Sequence, residues 1–459
     1  MDLPLLLLLF LLFFLIILSY SFKDLDFVAI SLLCMFFGAT ITGLRLGVKF
    51  ESFINMVEWQ AIIIILSMSI ITKIAQDSNV LEYVAVKLFR LSRGNQSVFL
   101  YLLCTITTLL AAIITDVVVV LILAPVVVRL CHFLKIRSGT YLLAMTICIN
   151  IGSIITPFSS GENIIISTAF GLSTEYFIQN FWIFSFFLLF VTIFLIDRFL
   201  LRKEPKIEDE QKKFVLELVN ADIMIKNKKM FYFNSIAIII TIILFAILPL
   251  LFLTAIISAI ILVLVNRRYT QKSMATLLKD IEWEIIFFFI ALYIIVGSLG
   301  EAGFAQLFSI IPFHQMDPIL VAFFLLIFIS LISGIVANTP TALIFIPIIK
   351  LLIGNTVNFP AVPLLFSFII AINLGGNLIP QGAAADMMTL KVAQDSGVEN
   401  LNYKRLLKIG AVFALIHIAF SSLYLLALLN TFFMLIFYLL IPVLIILIIL
   451  PHFKKKNTL

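Results

Sequence analysis

Three carboxylates lie where long apolar stretches of the chain are interrupted. Asp116 lies in the middle of a double-length apolar stretch, and Glu162 and Asp386 each follow a proline in two other stretches. A charged residue inside a bilayer costs about 2.5–3.5 kcal/mol on insertion scales, so function is the expected reason to keep it there. Carboxylates at such positions can bind a proton or Na⁺. The pattern therefore predicts ion coupling at these interruptions.

Hydroxyl, amide and glycine residues surround the same three carboxylates. Proline removes a backbone donor and kinks a helix, and glycine permits a tight turn, so nearby polar groups can reach a bound ion. Asn and Thr side chains also cap helix ends, which is the structural alternative for several of these residues. The candidate substrate- and ion-binding residues are Thr115, Asp116, Asn150, Thr156, Ser159, Ser160, Gly161, Asn163, Asn338, Thr339, Thr341, Asn373, Gly376, Asn377, Gln381, Gly382 and Asp386.

The composition places these interruptions in a membrane protein. The 459 residues are 63% hydrophobic and 12% charged, and the mean hydropathy is +1.21. Soluble domains carry roughly 25% charged residues. The net charge of +6 is spread over connections between apolar runs, which excludes a nucleic-acid-binding groove. No metal-ligand motif is present, and the four cysteines have no paired spacing.

A spanning helix needs about 20 apolar residues, and nine apolar runs meet this length when short ones are allowed. They cover residues 3–20, 27–46, 57–76, 177–201, 231–248, 250–265, 283–303, 405–425 and 431–450. Two further stretches, 140–170 and 360–392, cross but are interrupted. Two double-length stretches, 97–133 and 318–354, are predicted to enter and leave on the same side. The nine runs and two interrupted stretches predict about 11 crossings.

The basic residues predict the orientation in the cell membrane. One set of connections contains most of them, including the segment from Arg202 to Lys229, whereas the opposite set holds only Arg45 and Lys49. Positively charged connections face the cytoplasm. The first run lacks a basic leader segment, so it is predicted to be a true span. The N-terminus is therefore expected outside and the C-terminus in the cytoplasm.

The chain repeats itself at a spacing of about half its length. Trp59 recurs as Trp283, an offset of 283 minus 59, or 224, and their flanking sequences match. The other anchors are Asp116 with Pro125, which match Asn338 with Pro347, and Asn150, Gly152 and Pro157, which match Asn373, Gly375 and Pro380. Five predicted crossings separate Trp59 from Trp283, so the two halves should be inverted.

The predicted fold is an all-α polytopic membrane protein with two inverted repeats, each containing a re-entrant hairpin and a broken helix. This is an architecture of secondary transporters, in which the substrate site lies between the repeats. The expected parts are N-terminal transmembrane helices (1–50), repeat 1 (51–201), a cytoplasmic linker (202–230), a connecting transmembrane helix pair (231–274), repeat 2 (275–430) and a C-terminal helix with a basic tail (431–459).

The doubled pattern of a hairpin tip followed by a broken helix resembles the ion transporter superfamily. This superfamily includes arsenite permeases, citrate and dicarboxylate carriers, and NhaD-type sodium/proton antiporters. In its dicarboxylate branch the tips carry Ser-Asn-Thr, whereas here Ala337 precedes Asn338-Thr339 and the first tip contains Asp116. Asp116 and the run Gly376–Gly382 are more similar to arsenite permeases and related anion permeases.

The resemblance implies a secondary active transporter that moves a small anion, arsenite-like or another inorganic or organic anion, by alternating access coupled to H⁺ or Na⁺. The alternative is a Na⁺/H⁺ antiporter of the NhaD type, with Na⁺ bound at the same residues. An intramembrane enzyme is not expected, since no nucleophile or metal motif is present. The expected partners are a small anion or cation, the lipid bilayer and a second copy in a homodimer, with no cofactor and no nucleic acid.

Overall fold

The protein is an all-helical bundle in a computed structural model. The structure describes residues 2–21, 25–207, 227–248, 250–270, 273–279, 283–308, 311–354 and 357–428, with single positions and runs of two or three residues outside these ranges. These residues form twenty α-helices and no strand. Most of the predicted linker and of the predicted C-terminal helix and tail lies outside the described residues.

The helices fall into two sets of ten. The first set is α1 (Leu3–Ser21), α2 (Phe27–Leu46), α3 (Phe50–Met56), α4 (Trp59–Asp77), α5 (Val80–Leu91), α6 (Gln96–Ala111), α7 (Asp116–Phe133), α8 (Gly139–Gly152), α9 (Gly161–Phe170) and α10 (Thr174–Phe199). The second set is α11 (Lys228–Ile247), α12 (Leu251–Thr270), α13 (Met274–Lys279), α14 (Trp283–Glu301), α15 (Phe304–Phe308), α16 (Pro318–Val336), α17 (Asn338–Ile353), α18 (Ala361–Gly375), α19 (Ala384–Asp395) and α20 (Tyr403–Ala427).

The two sets correspond helix by helix, in the same order. The clearest pair is α4 and α14, which have 19 residues each and begin at Trp59 and Trp283. The indole Nε1 of Trp59 donates to the carbonyl of Ile54 at 3.0 Å, and that of Trp283 donates to the carbonyl of Leu278 at 2.7 Å. The correspondence also includes α1 and α2 with α11 and α12, which the sequence placed outside the repeats. The fold therefore consists of two inverted repeats.

Each repeat contains a hairpin that returns to the side from which it entered. The first helix of the first hairpin, α6, has 16 residues and is about 24 Å long, shorter than a bilayer core of about 30 Å. Asn95 caps α6 through Val98 N at 3.1 Å, and Asp317 caps α16 through Ile319 N at 2.8 Å. Residues 112–115 form the tip between α6 and α7, and Ala337 alone forms the tip between α16 and α17.

Each repeat also contains a helix that is broken near its middle. Residues 153–160 separate α8 from α9, and residues 376–383 separate α18 from α19. Glycine precedes both breaks because the first helix of the hairpin passes very close. A Cβ at Gly152 would overlap the carbonyl oxygen of Thr108, and one at Gly375 would lie 2.6 Å from the Cα of Ser330. Both breaks are therefore held against the hairpin of their own repeat.

The two repeats interlock at the centre of the bundle. Helix α2 packs against α14, and its counterpart α12 packs against α4. Helix α7 likewise packs against α19, and its counterpart α17 packs against α9. Every residue of α8 is buried, so the broken helices form the core. This arrangement brings the two tips and the two breaks together.

The helices are long and apolar enough for a multi-pass membrane protein. Eleven described helices meet the length and composition of a membrane span. That set includes one arm of each hairpin, α7 and α16, and leaves out the broken pair α8–α9. The sequence predicted the same number of crossings from a different set, with the broken pair α8–α9 and the run 431–450 in place of the two hairpin arms.

Candidate functional site

A cavity of about 360 Å³ runs from the two hairpin tips to one end of the bundle. Its inner wall contains Asp116, Glu162 and Asn338, and its outer wall contains Tyr20 and Gln76. Tyr20 and Gln76 lie one residue before the ends of α1 and α4. The cavity therefore extends from mid-bundle toward the side that the basic residues predict to be cytoplasmic.

Three helix N-termini converge on the inner end of this cavity. Asp116 is the first residue of α7, Glu162 the second residue of α9, and Asn338 the first residue of α17. All three line the cavity. The N-terminus of a helix carries a partial positive charge and unpaired N–H groups, which favour an anion. Two of the three termini already carry a carboxylate, whereas the terminus of α17 is neutral.

Glu162 and Asn338 join the two repeats inside the cavity. The Nδ2 of Asn338 donates to the Oε1 of Glu162 at 3.1 Å, and both residues are buried. The Oδ1 of Asn338 accepts from the hydroxyl of Ser333 at 2.8 Å, so its amide orientation is fixed. Asn338 is therefore a rigid donor to one carboxylate of the cavity.

The backbone of the second tip is strained. Ala337 has φ 89° and ψ 156°, a conformation that is essentially restricted to glycine. Two contacts hold it there: Asn338 N donates to the carbonyl of Gly382 at 3.1 Å, and the Thr341 hydroxyl donates to the carbonyl of Ala337 at 2.7 Å. Thr341 itself does not line the cavity. The first tip has no such strain, since Thr115 has φ −55° and ψ 137°.

Polar side chains fill the first break and satisfy its carbonyl groups. The hydroxyl of Ser159 donates to the carbonyls of Ser153 and Thr156, and the Nδ2 of Asn163 donates to the same two carbonyls at 2.5 and 3.3 Å. The hydroxyl of Thr156 donates to the carbonyl of Ala112 in the first tip at 2.5 Å. Ser160 caps α9 by accepting from Asn163 N at 3.4 Å. These groups stabilise the break.

Amide side chains connect the breaks of the two repeats. The Nδ2 of Asn373 donates to the Oδ1 of Asn163 at 2.8 Å. In the related position of the other repeat, the Nδ2 of Asn150 donates to the Oδ1 of Asn377 at 2.6 Å and approaches the Oδ1 of Asp386 at 3.5 Å. Asp386 also accepts from the hydroxyl of Thr146 at 2.6 Å and is buried. We call each of these sets of hydrogen-bonded side chains that connect the two breaks a strut. Asp386 belongs to a strut and does not line the cavity.

The structure divides the predicted site residues into two groups. Those that line the cavity are Thr115, Asp116, Gly161, Asn338, Thr339, Gln381 and Gly382, and Glu162 joins them. Those that lie in the breaks and struts around it are Asn150, Thr156, Ser159, Ser160, Asn163, Thr341, Asn373, Gly376, Asn377 and Asp386. At Gly376 a Cβ would lie 2.6 Å from the Oδ1 of Asn338, so this glycine makes room for the second tip.

Sequence reasoning missed a polar face of α4 that lines the cavity. It consists of Ser69, Thr72, Lys73 and Gln76. The signal was present in the sequence, because a lysine within an apolar run is rare and marks a functional position. The run 57–76 was instead read only as a span.

Among the residues that the structure describes, the charged ones in the lining are two carboxylates, Asp116 and Glu162, and one ammonium group, Lys73. Their formal charges add up to −1. No group of three His, Cys, Asp or Glu side chains that could hold a metal ion occurs in the described part of the chain. An anion in the cavity can therefore bind to Lys73 and to a helix N-terminus. A proton or Na⁺ can bind to the two carboxylates.

A family model and several relatives match most of the chain. A family model, CitMHS, described as a citrate transporter, matches residues 9–352. The 46 kDa membrane protein of Mycobacterium leprae is 25% identical over 379 residues, which cover 80% of this chain and 86% of the relative. An uncharacterized transporter of Synechocystis is 22% identical over 374 residues, which cover 76% of this chain and 81% of the relative.

Two further similarities concern a segment and the fold. The human P protein is 33% identical over 118 residues, which cover 25% of this chain and 14% of that protein. The crystal structure of the YdaH transporter of Alcanivorax borkumensis has a TM-score of 0.58 and 10% sequence identity, and the match covers 83% of this chain and 88% of that chain. At this identity the similarity concerns the fold alone.

Proposed function

The chain belongs to the CitMHS citrate transporter family, and from that premise we propose that it is a secondary active transporter that moves a small anion by alternating access. The observation that supports this proposal best is the cavity, which extends from one end of the bundle to the two tips. The cavity lies on one side of the tips. Alternating access requires a state in which the site is open to one side of the membrane only. Several relatives of the chain are named as uncharacterized transporters, and we propose no enzymatic activity.

The anion in this proposal binds at the neutral tip of the second repeat. Asn338 and Thr339 begin α17 and line the cavity. The donors at this terminus are the backbone N–H and the hydroxyl of Thr339, because Asn338 N donates to the carbonyl of Gly382 and Pro340 has no N–H. The coupling cation, H⁺ or Na⁺, binds at Asp116 and Glu162 in the first repeat. A cation there offsets the repulsion between these carboxylates and the anion, which couples the two binding events. Arsenite, other oxyanions and small carboxylates are the substrate candidates.

A Na⁺/H⁺ antiporter of the NhaD type is the second candidate. The observation that favours it is the formal charge of −1 of the cavity lining, because two carboxylates outnumber one lysine. In this mechanism Na⁺ and H⁺ compete for Asp116 and Glu162, and no anion is needed.

Transport by the purified protein in proteoliposomes separates the two candidates. Vesicles are given an inward gradient of Na⁺ or H⁺ and radiolabelled citrate, succinate, sulfate, phosphate or arsenite. The proposal expects uptake of at least one anion that depends on the cation gradient. Proton movement driven by a Na⁺ gradient without any added anion, together with no anion uptake, would establish the antiporter instead.

A further inference from the structure

One face of α4 carries polar side chains along the wall of the cavity. Ser69, Thr72, Lys73 and Gln76 follow at helical spacings of three, one and three residues, and all of them line the cavity. Residues three and four apart on a helix lie on the same face. Lys73 is the one ionisable residue of α4 before its last residue, Asp77. The face therefore presents a cation to an otherwise acidic cavity.

Thr72 carries a hydrogen-bonding group that the protein leaves unused. Its side chain is buried, with an exposed fraction of 4%. Its Oγ1 has no hydrogen-bond partner among the residues that the structure describes. The neighbouring Ser69 differs, because its hydroxyl donates to the carbonyl of Ile65 at 2.9 Å. Buried polar groups are normally paired, so an orphaned hydroxyl in the wall of a cavity points to a ligand.

The second repeat shows that the fold does not require this polar face. At an offset of 224, the counterparts of Ser69, Thr72, Lys73 and Gln76 on α14 are Tyr293, Val296, Gly297 and Gly300. Helix α14 has the same length as α4 and contacts equivalent helices. Lys73 and the polar residues beside it are therefore specific to the first repeat and to the cavity that α4 lines.

We infer that Lys73 is the residue that pairs with the negative charge of the transported anion, and that Thr72 donates or accepts a hydrogen bond beside it. This inference rests on the proposed function and adds to it the residue that selects for a carboxylate or oxyanion. Without Lys73 the charged residues in the described part of the lining are Asp116 and Glu162, which repel an anion. An ammonium group is a compact charge with three donors, suited to either anion chemistry.

The test is a comparison of Lys73→Met and Lys73→Arg in the proteoliposome assay, with the anion of the five-member panel that the wild-type protein transports fastest. Methionine keeps the length of the side chain and removes its charge. We expect Lys73→Met to raise KM at least about tenfold with a maximal rate within about threefold of wild type, because it removes binding rather than the transport step. Lys73→Arg should restore KM to within about threefold of wild type.

Lys350→Met is the matched control. Lys350 also lies on an apolar helix, α17, but outside the cavity. Its Nζ lies 5.9 Å from the centroid of the Phe170 ring. This variant should keep the wild-type KM. If Lys73→Met also keeps it, the inference is wrong. Thermal unfolding with and without the same anion provides a second measurement: the anion should raise the midpoint for wild type and Lys73→Arg, and raise it less for Lys73→Met.

The assay also separates this inference from the proposed function. A wild-type protein that moves no anion and exchanges Na⁺ for H⁺ would overturn both, whatever Lys73→Met does. A wild-type protein that transports an anion with a KM indifferent to Lys73 would overturn the inference alone.

Discussion

The two repeats have the same helices but divide the chemistry of the cavity unequally. Both carboxylates that line it, Asp116 and Glu162, come from the first repeat. The second repeat places Asn338 where the first has Asp116, and its own acid, Asp386, lies in a strut at the position of Asn163. Backbone strain, in contrast, occurs in the second tip, where Ala337 has φ 89°, whereas the first tip has no positive φ.

The proposed coupling of an anion to a cation uses this difference between the repeats. Equivalent positions keep their structural contacts while their charges diverge, so one tip can hold a cation and the other an anion. Asp116 and Asp386 test this view, because one aspartate lines the cavity and the other lies in a strut.

The largest effect is expected from Asp116→Asn, which gives the first tip the residue type of the second. In the proposed mechanism the carboxylate binds the coupling cation, and an amide cannot replace its charge. Gradient-driven anion uptake should fall about a hundredfold or more, which corresponds to about 2.7 kcal/mol. Initial uptake rates in proteoliposomes measure it.

Asp317→Asn is the control for this variant. Asp317 caps α16 through Ile319 N and is exposed, and Asn is an equally good cap, so uptake should not change. Wild-type uptake and pH dependence in Asp116→Asn would refute the role of Asp116 in coupling.

The sequence predicted the fold well where rare residues mark the repeat. Trp59 and Trp283 fixed the offset, and prolines and glycines marked the breaks. The pairing of α1 and α2 with α11 and α12 was missed, because these helices consist of interchangeable apolar residues with no distinctive anchor. The inverted-repeat fold could be predicted because tryptophan, proline and glycine stand out within long apolar runs.

The division of the site residues could not be read from sequence. Ser159 and Asn163 satisfy carbonyl groups of the first break, whereas Glu162, between them in sequence, lines the cavity. Polar residues near a break have the same appearance whether they bind a ligand or replace lost backbone hydrogen bonds. Only the direction of each side chain separates the two roles. Lys73 was missed for another reason, since its run was read as a span and its charge was not considered.

Asp386→Asn and Asn163→Asp exchange the residue types of two equivalent positions in the struts, and their effect on uptake should be smaller than that of Asp116→Asn. Asp386→Asn should be tolerated, because an amide oxygen can still accept from Thr146 and Asn150. Asn163→Asp should destabilise the protein by about 1–3 kcal/mol, because a carboxylate cannot donate to the carbonyls of Ser153 and Thr156. Thermal unfolding of both variants in detergent, alongside uptake rates, measures the difference. Equal loss of transport in the two variants would show that Asp386 acts in the cation site rather than in a strut.

The smallest effect is expected at the tips themselves, and there the two repeats should respond with opposite signs. Ala337→Gly relieves a backbone conformation that costs about 1–3 kcal/mol in non-glycine residues, while the added freedom of the unfolded chain costs about 0.4–1 kcal/mol. A gain of about 1 kcal/mol is expected, seen as a slightly higher unfolding midpoint. Ala112→Gly in the first tip relieves nothing, because Ala112 has φ −70° and ψ −15°, and should lose about 0.5–1 kcal/mol. A loss of stability in both variants would show that the contacts of Asn338 and Thr341 do not hold Ala337 under strain, and that the two tips are mechanically alike.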